Sequence, residues 1–167
     1  CKVIKHIGNL SGISHINTSA ISTQGNVRTC SCIFNSSSTT KHISNVISLS
    51  PEEKVVASIP IYDFDSEKYI TSFSKNGMIK RTLISEFKVQ RYSKPIKMMN
   101  LKDDDELISV TDSSCNEVFI ATSCGYGLWY DINEVPVVGV RAAGVKSISL
   151  KDDYVVSGTL FNASDEF

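Results

Sequence analysis

Apolar residues in this chain fall in runs of four to six, parted by Gly, Asn, Ser or Asp. They do not recur at the three- and four-residue spacing of a helix over any window of 11 or more. Val55-Val-Ala-Ser-Ile-Pro, Tyr69-Ile-Thr-Ser-Phe, Glu106-Leu-Ile-Ser-Val, Glu117-Val-Phe-Ile-Ala-Thr and Tyr154-Val-Val-Ser-Gly are such runs. Ile and Val are abundant, and branched side chains suit a pleated surface. Short strands at close spacing predict an all-β chain, with sandwich, barrel and propeller open.

An internal repeat narrows the choice. In Thr71-Ser-Phe-Ser-Lys-Asn-Gly77-Met-Ile-Lys-Arg-Thr-Leu-Ile-Ser-Glu86 a strand runs into a Gly, a second strand follows, and a Glu stands nine residues after the Gly. Ala121-Thr-Ser-Cys-Gly125-Tyr-Gly-Leu-Trp-Tyr-Asp-Ile-Asn-Glu134 repeats this, and a weaker copy begins at Ile21-Ser-Thr-Gln-Gly25. Each Gly precedes a matching Leu (Leu49, Leu101, Leu150) by 24, 24 and 25 residues. Units of about 50 residues with four short strands are the size of propeller blades. Asn-Gly and Gln-Gly supply the positive φ of tight hairpins. The expected blades are 16–58, 67–111 and 116–157, with 158–167 starting another, in an incomplete wheel. Ile70, Ile79, Met99, Ile108, Phe119, Leu128, Ile148 and Val155 should be buried; core packing is the default expectation for Trp129, with stacking at an interface as the lesser option.

Composition excludes several classes. The 167 residues are 41% hydrophobic and 21% charged, with a net charge of -1, which describes one globular unit and neither a tail nor a polyelectrolyte. No apolar run is long enough to span a membrane. The start at Cys1 lacks a signal peptide's apolar stretch and reads as part of something longer. Five cysteines, at 1, 30, 32, 115 and 124, form no disulfide framework, so a reducing cytoplasm is expected.

Ser74-Lys-Asn-Gly-Met-Ile-Lys-Arg-Thr-Leu-Ile-Ser-Glu-Phe87 and Val140-Arg-Ala-Ala-Gly-Val-Lys-Ser-Ile-Ser-Leu150 resemble the repeat of the C-terminal domain of bacterial type IIA topoisomerase A subunits, in gyrase and topoisomerase IV. The resemblance implies a β-pinwheel, a propeller-like disc whose blades share strands and bend DNA around the outer rim. Gyrase carries a basic Gly-rich box, Gln-Arg-Arg-Gly-Gly-Lys-Gly. Here Gln90-Arg91-Tyr92-Ser93-Lys94-Pro95 keeps no Gly, which favours topoisomerase IV. The implied function is a DNA-binding and bending module of an ATP-dependent, double-strand-passing topoisomerase. Its implied partners are duplex DNA, the rest of the A subunit, and the ATPase B subunit. The implied setting is the cytoplasm, at the chromosome and away from membranes. No cofactor is expected in this piece; Mg²⁺ and ATP would bind elsewhere in the parent enzyme, as would its catalytic residues.

Charge is unevenly distributed. Residues 75–102 hold eight cations against Glu86 alone, a net of +7, while 125–151 has +1 and 25–49 has +2. Together with the family's use of its rim, this assigns DNA contacts to Lys75, Lys80, Arg81, Arg91, Lys94 and Lys97. Arg28, Arg141 and Lys146 are lesser contacts at similar stations. Phosphate binding needs cations gathered on one surface, whereas alternation puts Arg81 opposite Lys80. Without the resemblance, a lysine-rich edge that merely stays soluble is the simpler reading. A propeller that binds proteins and never touches nucleic acid is the alternative function.

Other chemistries find little support. His6, His15 and His42 pair with no Cys at zinc spacing. Cys30-Ser-Cys32 reads as two small residues on one strand face, and Asp103-Asp-Asp-Glu106 as a hydrated turn. Phosphate-loop and nucleophile-elbow motifs are missing, and no catalytic constellation is present.

Overall fold

The computed structural model describes residues 16–32, 50–88, 95–102 and 104–164, with the backbone alone at 16–20 and 28–32. Eleven strands are described, and the only helical elements among the described residues are one-turn 3-10 segments at Ile84–Phe87 and Ile132–Glu134. The first repeat contributes β1 (Ile16–Ser22), β2 (Asn26–Cys32) and β3 (Val55–Ile61). The second contributes β4 (Tyr69–Ser74), β5 (Met78–Leu83), β6 (Ile96–Lys97) and β7 (Leu107–Thr111). The third contributes β8 (Glu117–Thr122), β9 (Gly127–Asp131), β10 (Val145–Lys146) and β11 (Val155–Phe161). The all-β expectation is borne out. The expected blade ends at 58 and 157 fall inside β3 and β11, which continue to Ile61 and Phe161.

The strands form three antiparallel sheets ordered β3-β1-β2-β6, β7-β4-β5-β10 and β11-β8-β9. The outermost strand of each four-stranded sheet therefore comes from the following repeat. The N–H of Met98 donates to Gly25 O at 2.7 Å, and that of Ser147 to Gly77 O at 2.8 Å. Leu101 lies over Gly25 and Leu150 over Gly77, so the constant Gly-to-Leu spacing serves contacts between successive repeats. At the opposite side of the sheets β11 packs against β7 and β7 against β3.

The three hairpins are built alike. Gly25, Gly77 and Gly125 have φ of 72°, 83° and 85°, and each N–H donates to the residue three before it. That residue is Ser22, Ser74 or Thr122, whose hydroxyl accepts from the N–H following the glycine. An acid 28 residues after each glycine completes the turn. Glu53 accepts from Ser22 Oγ and Asn26 Nδ2, Asp105 from the N–H of Asn76, and Asp153 from Ser123 Oγ and the N–H of Cys124. In the acid-rich stretch, Asp105 is thus a cap, between the exposed Asp104 and Glu106.

Two cores lie between the sheets. Ile21, Val27, Ile59 and Ile61 meet Ile70, Phe87, Met98 and Met99 in one; Phe73 and Ile79 meet Val118, Ile120, Val155 and Leu160 in the other. Of the residues expected inside, Ile70, Ile79, Met99 and Val155 are buried, and Ile108, Leu128 and Ile148 are half-buried against the second core. Phe119 is a correction at 38% exposure. The run Val118-Phe119-Ile120 is apolar on both faces, and pairing with β11 turns Val118 and Ile120 inward. Trp129 is a second correction at 59% exposure. It stands opposite Phe119 on the same outward face, 5.3 Å from the Phe161 ring, and its Nε1 donates to Glu117. Cys115 and Cys124 are free thiols.

Candidate nucleic-acid interface

The exchanged strands place lysines at matching positions on the outer edge. In Ile96-Lys97 and Val145-Lys146 the apolar residue is half-buried and the lysine exposed, as two-residue alternation requires. Lys97 pairs with Asn26 and Lys146 with Met78, in each case the residue after a hairpin glycine. Residues from different repeats are thereby brought to equivalent places on consecutive sheets. Arg141 is exposed in the segment leading into β10, which is tied down by the Val138 N–H donating to Arg81 O at 2.9 Å.

The other expected contacts are distributed differently. Lys75 is half-buried at the Gly77 hairpin, its Nζ 5.5 Å from the centroid of the Tyr154 ring. Arg81 is half-buried, with its guanidinium 4.0 Å from the centroid of the Tyr69 ring. Arg28 stands on β2 with its side chain outside the described residues, where Arg91 and Lys94 lie entirely.

Lys80 is a correction: it is 1% exposed and turned away from the surface. The middle sheet is covered on both faces, so alternation along β5 exchanges one interior for another. Its Nζ donates to Met98 O at 2.5 Å and Val140 O at 2.7 Å, joining the two segments that carry Lys97 and Arg141. Burial lowers its pKa to about 8, against a smaller upward pull from Glu86. Lys88, counted in the local charge excess, is paired with Asp65 at 2.8 Å. The basic character of residues 75–102 is therefore partly spent inside the protein, and the outward-facing share rests on fewer residues. The acid at glycine plus 28 was a periodic signal in the sequence that charge counting passed over.

The profile described as "DNA gyrase C-terminal domain, beta-propeller" matches residues 68–112 and 116–161, more than half of the chain. The chain belongs to this family. It is 50% identical over 127 residues to the A subunit of DNA topoisomerase 4 from Bacillus subtilis, covering 75% of this chain and 16% of that protein. The same subunit of Staphylococcus epidermidis is 42% identical over 127 residues, with the same coverage. A solved C-terminal domain of DNA topoisomerase IV superimposes with a TM-score of 0.82 at 39% identity, over 90% of this chain and 48% of that one. A DNA gyrase A C-terminal domain shares the fold, with a TM-score of 0.67 at 18% identity. The resemblance read from Ser74–Phe87 and Val140–Leu150 is borne out, and the likeness to topoisomerase IV agrees with the missing Gly-rich box. Among the described residues no helix is long and apolar enough to cross a membrane.

Proposed function

We propose that this chain is a DNA-binding and bending module of a topoisomerase IV-type A subunit, holding the duplex backbone along its outer edge. The matched exposure of Lys97 and Lys146 on the outermost strands of consecutive sheets supports this reading. Cations at one station per sheet form a track for phosphates, whose binding gains from counterion release and carries no base preference. Arg141 joins that track, with Arg28, Arg91 and Lys94 as further candidates. In the parent enzyme the module would work at the chromosome, beside the rest of the A subunit, with the ATPase B subunit as partner. Mg²⁺, ATP and strand cleavage are assigned to other domains.

The test is a salt titration of duplex binding by the whole subunit. Lys97→Ala with Lys146→Ala should lower the magnitude of the log–log salt slope by about 1.8, at about 0.9 per phosphate contact. Absent DNA binding by the parent subunit, or binding that ignores salt, overturns the reading. The exposed Phe119 and Trp129 favour the alternative, a surface for a protein partner; retained partner capture without DNA binding is the outcome that selects it.

A further inference from the structure

Arg81 differs from an ordinary surface arginine. Its guanidinium lies over Tyr69, and among the described residues it has no carboxylate partner and no hydrogen bond. Stacking occupies the face of a guanidinium and leaves the in-plane N–H donors along its edge available, the geometry that grips a phosphate with two parallel bonds. Beside it, between the second and third sheets, opens a pocket of about 150 Å³. Lys68, Ser114 and Asn116 share its wall with Arg81, and Glu67 is the single acid there. Buried Thr71, Ile132 and Leu160 also line it, so one side is fixed by the core.

The other repeats do not reproduce this arrangement. Four residues after the hairpin glycine stand Thr29 and Trp129 where the middle repeat has Arg81. In the third sheet Glu117 replaces Tyr69 in the register and takes the Trp129 N–H, so the corresponding place carries an aromatic ring and an acid. Two cations against one acid, beside neutral hydrogen-bonding groups, suit a singly charged phosphodiester.

We propose that this pocket is a phosphate site, with Arg81 gripping and Lys68 neutralising a backbone phosphate of duplex DNA at the junction of the second and third sheets. The inference rests on the DNA-binding reading and adds a contact away from the edge strands. A free phosphate offers the same chemistry, and the experiment separates the two sources.

The whole subunit is titrated with duplex DNA across a salt series as wild type, Arg81→Gln, Arg81→Lys and Lys68→Ala, with thermal melting to verify folding. Arg81→Gln should lower the magnitude of the salt slope by about 0.9, and the surface change Lys68→Ala by a similar amount. Arg81→Lys should keep the slope while weakening binding, because it keeps the charge and loses the fork. In parallel, inorganic phosphate should shift the Ser114 and Asn116 amide resonances of the wild-type 167-residue chain and not of its Arg81→Gln form. Wild-type DNA binding with unchanged slopes in folded Arg81→Gln and Lys68→Ala overturns the pocket and leaves the functional reading standing. Phosphate shifts without wild-type DNA binding overturn both the DNA occupant and that reading. The absence of both responses overturns the site altogether.

Discussion

Phe73 and Gly158 touch across the second and third sheets so closely that a Cβ on Gly158 would overlap the Phe73 ring. The contact joins β4 of one repeat to β11 of the next, and Ser109 Oγ donates to Gly158 O at 2.6 Å beside it. A large residue on one sheet is accommodated by the missing side chain on the other. The corresponding β7 position carries Val110, which packs against the other core.

Gly158→Ala should therefore destabilise the protein, although alanine is otherwise no worse than glycine in a strand. Overpacking of this kind costs about 1–3 kcal/mol. Urea unfolding measures it, and Phe73→Leu in the same chain should recover part of the loss. An additive double mutant would show that the ring and the glycine are not coupled.

Lys80 predicts a pH dependence of definite sign. Its folded pKa of about 8 lies below the unfolded value of 10.5, so between these values the unfolded chain binds more protons. Stability from this group therefore rises as pH goes from about 8 to 10.5, since desolvating the ammonium is the cost being relieved. A neutral amine still has two N–H donors for Met98 O and Val140 O. Chemical denaturation of the wild type and Lys80→Met across this range should show the difference moving in favour of the wild type.

Asp153 predicts the opposite limb. Ser123 Oγ, and then other donors including the N–H groups of Tyr154 and Cys124, hold its carboxyl well below the usual range. Its contribution is present above an unfolded pKa of about 3.9 and is lost as pH falls toward the folded value. Asp153→Asn should be the less stable form at about pH 7, with the gap closing under acid. A gap independent of pH down to acid unfolding would remove the carboxylate from the cap.

Thr82 Oγ1 is buried without a hydrogen-bond partner among the described residues. A valine of similar shape removes a hydroxyl that has lost its water, an exchange of about 1–3 kcal/mol in favour of the apolar residue. Thr82→Val should raise the thermal midpoint. A lower midpoint would mean that the hydroxyl is satisfied in solution.

The local order of this protein is legible residue by residue. Hydroxyl, glycine and the acid at plus 28 recur at each hairpin, because a tight turn makes the same steric and hydrogen-bonding demands wherever it is built. The family was equally legible in Ser74–Phe87 and Val140–Leu150. Neighbours set by the fold decided the rest. Ile96-Lys97 and Val145-Lys146 look like strands of their own repeats, yet the unpaired edges they complete are β2 and β5 of the repeats before them. Phe119 sits in an apolar run whose phase no alternation marks, so pairing with β11 chose its face. Lys80 has the sequence surroundings of a rim cation; Met98 O and Val140 O, 18 and 60 residues away, draw it inward. A charge can be counted from sequence, but whether its head meets water or a pair of carbonyls is settled only when distant segments close around it.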